Sequence, residues 1–450
     1  MDVIMRTRIE QVFDCFLKNN IVAPMSVLVG FSGGADSLAL LYLLMEFRCK
    51  YQLIIHLAHI DHGWREESRR EAEELRSLSS ELSLPFYCKV LDPHSMEGNI
   101  EDACRYERLD FFSELCREHS LRAVFLGHHA DDQAETVLKR ILEGASLSNL
   151  SGIRDVCDYQ GTMLWRPLLP VTKKEIVTWL KARQLVYLED KTNADQRFTR
   201  ARMRHTIIPE LSKQFGKNVS RNLCRLALEA QDLRRDLDRE IEPLISVAKK
   251  GPFGLWFDFS TNMPDSGMVL RYLLKHICEG EIVTRDMLNR MCDLLKNGKA
   301  NSIVVVGSRK IYIDRKHLFV VEKEVPSCYG NGYLHEGTQR VGQWDVTIED
   351  AGDDVEYESS SWRELWCGEI RAVIPKDDYY MAFPDLSEAY HKNSSLKKWW
   401  MNHKVPTFIR RCIPVLYDAE RKSQHEFLTG KIIKKKGVER IVLKALYSIS

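Results

Sequence analysis

Short apolar runs and longer amphipathic stretches alternate through the first third of the chain. The runs at 27–31, 53–60, 86–91 and 123–126 are brief and bounded by turn residues, as expected of strands in a buried parallel sheet. Between them, at 38–47, 66–84, 100–119 and 131–142, apolar residues recur at helical spacing. This alternation predicts an α/β fold, a doubly wound parallel sheet that binds ligands at the carboxyl ends of its strands. Residues 146–161, rich in Ser, Gly and Asn, read as a loop and mobile lid.

Further along, a helix is expected at 173–183 and a longer charge-laced one at 218–244, acting as a strut between domains. Residues 252–324 carry a mixed pattern that closes on strand-like runs at 302–306 and 317–322. Pro326, Gly330 and Gly332 mark a linker over 325–336. The expected domains are therefore the doubly wound one at 1–210, a helical and mixed middle domain at 211–325 and a small α+β domain at 337–450.

Composition narrows the class. The 450 residues are 44% hydrophobic and 29% charged, the balance of a globular protein with room for more than one core. No apolar stretch approaches bilayer length, and the first twenty residues carry Asp2, Arg6, Arg8, Glu10 and Asp14 instead of a signal-peptide pattern. The expectation is a cytoplasmic protein with no membrane partner. The 12 cysteines stand singly, without any Cys-x-x-Cys, which argues against structural zinc, iron–sulfur and thiol-relay sites.

Net charge is only +1, but it is unevenly spread. Residues 191–235 hold 11 Lys and Arg against 4 Asp and Glu, and 391–440 hold 13 against 4. Both stretches suit either a solvated helix face or a nucleic-acid surface.

Phe31-Ser32-Gly33-Gly34-Ala35-Asp36-Ser37 lies between the first strand-like run and the first helix. Adjacent glycines let the backbone curl so that successive N–H groups face one anion, with the helix N-terminus behind them. No Lys follows, so this is not the loop of ordinary nucleoside triphosphatases. A second cluster, Gly127-His128-His129-Ala130-Asp131-Asp132-Gln133-Ala134-Glu135, follows the 123–126 run. It sets Asp132 and Glu135 on one face of a helix start.

Ser32 to Ser37 resembles the PP-loop of the ATP pyrophosphatases, which split ATP into AMP and pyrophosphate and adenylate a carbonyl-type oxygen. Within them, the His128–Glu135 cluster, Arg166-Pro167-Leu168-Leu169, Glu189-Asp190-Lys191-Thr192-Asn193 and Arg200-x-Arg202-x-Arg204 resemble the tRNA(Ile)-lysidine synthetase family. The resemblance implies a ligase that uses ATP and Mg2+ to join L-lysine to the wobble cytidine of tRNA(Ile) with a CAU anticodon. It implies that Ser32, Gly33, Gly34, Ala35, Asp36, Ser37, His59 and Arg65 bind ATP, with Asp36 as the magnesium ligand. Asp132 and Glu135 would hold lysine, and Asp36, His128, Asp132, Glu135 and Arg204 would carry the chemistry.

Arg105 and Arg108 also match the family, but Leu109 stands where a Tyr is usual and Ala201 where an Asn is usual. Arg200 and Arg202 would meet tRNA phosphates. So would Lys397, Lys398, Arg410 and Arg411, interleaved with Trp399 and Trp400 in a run similar to that family's terminal domain. A homodimer is among the assemblies compatible with the chain. Other PP-loop ligases, acting on tRNA or forming amides, and a catalytically silent RNA-binding protein on the same fold remain alternatives.

Overall fold

The computed structural model describes residues 6–61, 63, 67–91, 100–188, 199–321, 330–352, 356, 359–383, 395–417, 424–426 and 439–447. They fall into two compact units, Met1–Arg235 and Asp236–Ser450.

The first unit opens with helix α1 (Arg8–Asn20), followed by β1 (Met25–Gly30), α2 (Ala35–Tyr51) and β2 (Leu53–Asp61). Then come α3 (Glu67–Glu81), β3 (Phe86–Val90), α4 (Ile100–Glu118), β4 (Ala123–Phe125) and α5 (Ala130–Leu142). The strands β5 (Val156–Tyr159) and β6 (Thr162–Trp165) and the helix α6 (Lys173–Ala182) complete the sheet layer. Strand order is β3-β2-β1-β4-β6-β5, parallel except for the last pair. Val27, Leu28 and Val29 are fully buried because helices cover both faces of β1. α2 is apolar nearly all round, as a helix sunk into the layer must be: Leu38, Leu40, Leu41, Leu43, Leu44 and Phe47 are all buried.

Chain order reverses between β2-β1 and β4, so the crevice at their carboxyl ends is the switch point where such sheets bind ligands. The two motifs lie there, one after β1 and one after β4.

The expected lid at 146–161 is instead a pinned segment. Gln133 on α5 donates to the carbonyls of Ser151 and Ile153 and accepts from the Ile153 N–H at 2.6 Å. Arg140 donates to the carbonyls of Asn149 and Gly152. A polar composition signals a loop, but the buried Gln133 amide and the part-buried Arg140 guanidinium on the neighbouring helix need partners, and this loop supplies them.

Beyond the sheet, α7 (Thr199–Arg202) runs through one π-turn, Met203–Ile207, into α8 (Ile208–Phe215), and α9 (Val219–Ser246) passes through the division between the units. In the second unit, β7 (Lys249–Gly251), β8 (Gly254–Asp258), β9 (Ser302–Val306), β10 (Arg309–Asp314) and β11 (His317–Val321) form an antiparallel sheet. It is covered by α10 (Gly267–Ile277) and α11 (Arg285–Lys296). Two further four-stranded sheets follow. The sequence suggests a break near 325–336, but Phe253, Trp256 and Phe319 share one core cluster with Trp344, Trp366 and Trp400. Large aromatic surfaces are buried jointly here, while Phe257, Leu270, Leu274, Met291 and Ile311 form a second cluster within the middle segment alone.

Among the described residues no helix is long and apolar enough to cross a membrane.

Candidate active site

The phosphate loop is braced from within and from below. Ser37 Oγ donates to the Gly34 carbonyl at 3.0 Å, accepts from the Ser32 N–H at 3.2 Å and lies 3.1 Å from Ser32 Oγ. Ser37 is buried, so its hydroxyl shapes the loop. His59, expected at the nucleotide, spends its Nδ1 on the Phe31 carbonyl 2.9 Å away. Burial lowers its pKa, leaving a neutral ring that anchors the loop's first residue. Gly33 has φ +75°, and a Cβ there would stand 2.7 Å from side-chain atoms of both Leu75 and Leu188. A left-handed φ and those two close contacts together favour glycine at this position.

The opposite wall comes from the turn between β4 and α5. A Cβ on Gly127 would lie 3.0 Å from the backbone carbon of Asp36, so the two strand-to-helix turns touch. His129 caps α5: its Nδ1 accepts from the Asp131 N–H at 3.2 Å, and its own N–H donates to Asp132 Oδ2 at 3.0 Å. Burial opposes a charge on His129, but the carboxylates of Asp131, Asp132 and Asp36 outweigh it and raise its pKa. Lys173, at the start of α6, joins both walls. Its backbone N–H donates to Asp131 Oδ2, and its Nζ lies 2.8 Å from each oxygen of Asp36.

Asp132 and Glu135 share a face, as their spacing predicts, and Arg204 spans them. Its Nη2 is 2.8 Å from Asp132 Oδ1 and its Nε 2.6 Å from Glu135 Oε1. Burial raises the Glu135 carboxyl above the ordinary range, with Arg204 pulling it back. Burial pushes on Asp132 too, but the charge and backbone N–H of His129 and the charge of Arg204 together hold it below its usual value.

The neighbouring wall is basic. The buried Arg166 donates from Nε to His128 Nδ1 at 3.2 Å and from Nη1 to the Arg154 carbonyl at 2.8 Å. Burial, then the charge of Arg166, drives His128 down to about 3, so it works as a neutral hydrogen-bonding ring. Burial and the charges of Arg105, Arg200 and Arg166 lower Arg108 to about 10. Arg108 Nε has no hydrogen-bond partner among the described residues. A cationic cluster with an unused buried donor thus adjoins the acidic one around His128, after β4. That arrangement suits an anionic phosphate beside a cationic amine.

Residues 4–211 match the PP-loop domain model. The tRNA(Ile)-lysidine synthase of Protochlamydia amoebophila (strain UWE25) is 37% identical over 421 residues, 92% of this chain and 91% of the relative. The chain belongs to the tRNA(Ile)-lysidine synthase family. The tRNA(Ile)-lysidine synthase of Chlamydia muridarum (strain MoPn / Nigg) is likewise 37% identical, over 64% of this chain and 91% of its own length. Among solved structures the chain is similar to a U34-tRNA thiolase from Methanococcus maripaludis, with 16% identity and a TM-score of 0.43 over 50% of this chain and 78% of that one.

In this member of the lysidine synthase family, Ser32, Gly33, Gly34, Ala35, Asp36 and Ser37 meet His128, Asp132, Glu135 and Arg204 at one crevice. Arg65 lies outside the described residues. Arg200 and Arg202 are exposed on α7, and the charge of Arg200 reaches Arg108. Lys173 and Arg166 were not picked out by residue type. The available signal was Arg166 inside a run otherwise destined for the core, Leu164-Trp165 and Leu168-Leu169, where a guanidinium requires a partner.

In the second unit, Lys398 is exposed and Lys397 and Arg411 are part-buried, on α12 (Ser395–Asn402) and the turn after it. Arg410 departs from expectation. It is buried, donates from Nε and Nη2 to the Val405 carbonyl at 3.1 and 2.9 Å, and lies over the Trp400 ring. Its charge is taken up by a carbonyl and an aromatic face, which removes it from the candidate tRNA surface. Trp400 is a core residue.

Proposed function

We propose that the crevice at the ends of β1 and β4 performs both halves of lysidine formation. The observation that carries this reading is the apposition of a phosphate loop and an acidic pair, the part-buried Asp132 and the buried Glu135, in a chain of the tRNA(Ile)-lysidine synthase family. The cytosine O2 attacks the α-phosphorus of ATP, forming the O–P bond of the adenylate as the α–β bridge breaks and pyrophosphate leaves. The lysine ε-amine then bonds to ring carbon C2. The C2–O bond breaks, and AMP departs with the former O2.

The loop N–H groups and the α2 N-terminus bind the pyrophosphate charge where it develops. Asp132, held ionised, seats the lysine ammonium. Glu135, its pKa raised by burial, accepts the proton that must leave before the amine attacks. Neutral His128, oriented by Arg166, presents its other ring nitrogen to the cytidine or the adenylate.

Among the described residues no group of three or more His, Cys, Asp or Glu side chains is arranged to hold a metal ion. Magnesium, however, is commonly held by one or two carboxylates plus substrate phosphates. Asp36 fits that single-carboxylate role, and a bound ion would neutralise charge on the departing pyrophosphate. Arg200, Arg202, Lys397, Lys398 and Arg411 are the proposed tRNA contacts, and the cytoplasm the proposed compartment.

The test supplies purified full chain with ATP, magnesium and labelled lysine, and either tRNA(Ile) with a CAU anticodon or the methionine tRNA. Label should enter only the isoleucine tRNA, with AMP and pyrophosphate released. Release of ADP would overturn the mechanism.

A further inference from the structure

Arg204 fills the seat that the foregoing reading gives to lysine. Its Nη2 and Nε bind one oxygen each of Asp132 and Glu135, at 2.8 and 2.6 Å. Glu135 is 3% exposed, so while the guanidinium stays, no second cation reaches that carboxylate from solvent. Arg204 itself is not locked in: its side chain is 34% exposed. It stands on the π-turn Met203–Ile207. Such single widened turns are rare and concentrate at functional sites. The charge of Asp36 acts on Arg204 along with those of Glu135 and Asp132, so the guanidinium lies within electrostatic reach of the phosphate loop.

We propose that Arg204 is a displaceable internal counter-ion that keeps the lysine seat shut until a nucleotide phosphate draws its guanidinium off Asp132 and Glu135. The inference rests on the assignment of those two carboxylates to lysine. A guanidinium forks onto phosphate as readily as onto carboxylate, so the transfer exchanges one set of charge-assisted hydrogen bonds for another. Two consequences follow from linkage. ATP tightens lysine binding, and lysine tightens ATP binding by the same factor. Tight lysine binding is thereby tied to the presence of the nucleotide that will generate its electrophile.

Equilibrium dialysis of labelled lysine against the full chain, with and without α,β-methylene-ATP, tests this without turnover. In the wild-type protein the analogue should tighten lysine binding by about tenfold, within the usual span of coupling. In Arg204→Gln, lysine binding without nucleotide should tighten to near the wild-type value with analogue, and the analogue should then add less than about twofold. Arg204→Lys keeps a cation on the turn but loses the fork. It should fall between the two, and it carries the test if the glutamine variant does not fold by circular dichroism.

Weaker lysine binding in Arg204→Gln, or coupling equal to wild type, overturns the inference. Adding Glu135→Gln to Arg204→Gln separates that failure from failure of the underlying reading. Loss of lysine binding in the double variant keeps the acidic pair as the seat even if Arg204 proves fixed. Unchanged binding removes the seat, and the inference with it.

Discussion

The ammonium of Lys173 sits 2.8 Å from both carboxylate oxygens of Asp36, a residue 137 positions earlier in the chain. Lys173 is thus the counter-ion of the one acidic group in the phosphate loop. A magnesium ion and this ammonium seek the same oxygens, and either leaves Asp36 charge-compensated.

The pair supports a discriminating experiment. Asp36→Asn should lower the rate of pyrophosphate release by about two orders of magnitude or more, because stabilisation of developing charge is among the largest catalytic effects. Lys173→Gln leaves the carboxylate in place and should cost less than about tenfold if Asp36 acts on magnesium and phosphate directly. Equal losses in the two variants would mean that Asp36 serves to position Lys173.

Glu135→Gln preserves shape but removes charge from the lysine seat. A charge-assisted hydrogen bond contributes roughly 1.5–3 kcal/mol, so the apparent lysine KM should rise about tenfold or more. The tRNA dissociation constant, measured by filter binding, should hardly change. An unaltered lysine KM would remove Glu135 from the seat.

Much of the first unit was legible in the sequence because its signals are local. The short apolar runs became β1 to β4 with ends shifted by a residue or two, and the helical periodicities became α2 to α5 with ends shifted by up to four, as α2 runs on to Tyr51. The two motifs were placed together because a doubly wound sheet brings the turns after β1 and β4 to one crevice. The long-range pairings were not legible. Nothing in residue type tells that Arg204 spans Asp132 and Glu135 or that Lys173 meets Asp36. Each depends on how separate elements are packed. The 146–161 segment misled for the same reason, since its anchors Gln133 and Arg140 are on another element.

His128 gives the protein a pH signature. The unfolded chain takes up a proton near the ordinary value of 6.5, whereas the folded one holds this ring neutral down to about 3. Its contribution to stability is therefore fully present above about pH 6.5 and is lost progressively as pH falls from there. His129, with a raised pKa, acts in the opposite sense: its contribution is present below its ordinary value and is lost as pH rises through the folded one. His128→Gln should accordingly lose less melting temperature than wild type between about pH 7 and pH 5. Parallel acid-side slopes in the two proteins would show that His128 is protonated in the folded state.

The terminal surface is best tested by separating its exposed cations from its buried one. Lys397, Lys398 and Arg411 are at least part-exposed, while Arg410 is buried against Val405 and Trp400. If the first three meet tRNA phosphates, replacing them together with Gln should weaken tRNA binding. Each lost contact should also flatten the slope of log K against log salt by about 0.9 at most. Binding of ATP, a property of the first unit, should stay at the wild-type level. Arg410→Gln should behave differently. Removing charged donors from a buried carbonyl costs roughly 1.5–3 kcal/mol, read as a lowered urea midpoint, while the salt slope of the folded variant remains that of wild type. A reduced salt slope in Arg410→Gln would return that residue to the tRNA surface. An unchanged affinity and slope in the triple variant would show Lys397, Lys398 and Arg411 to be solvated charges without an RNA partner.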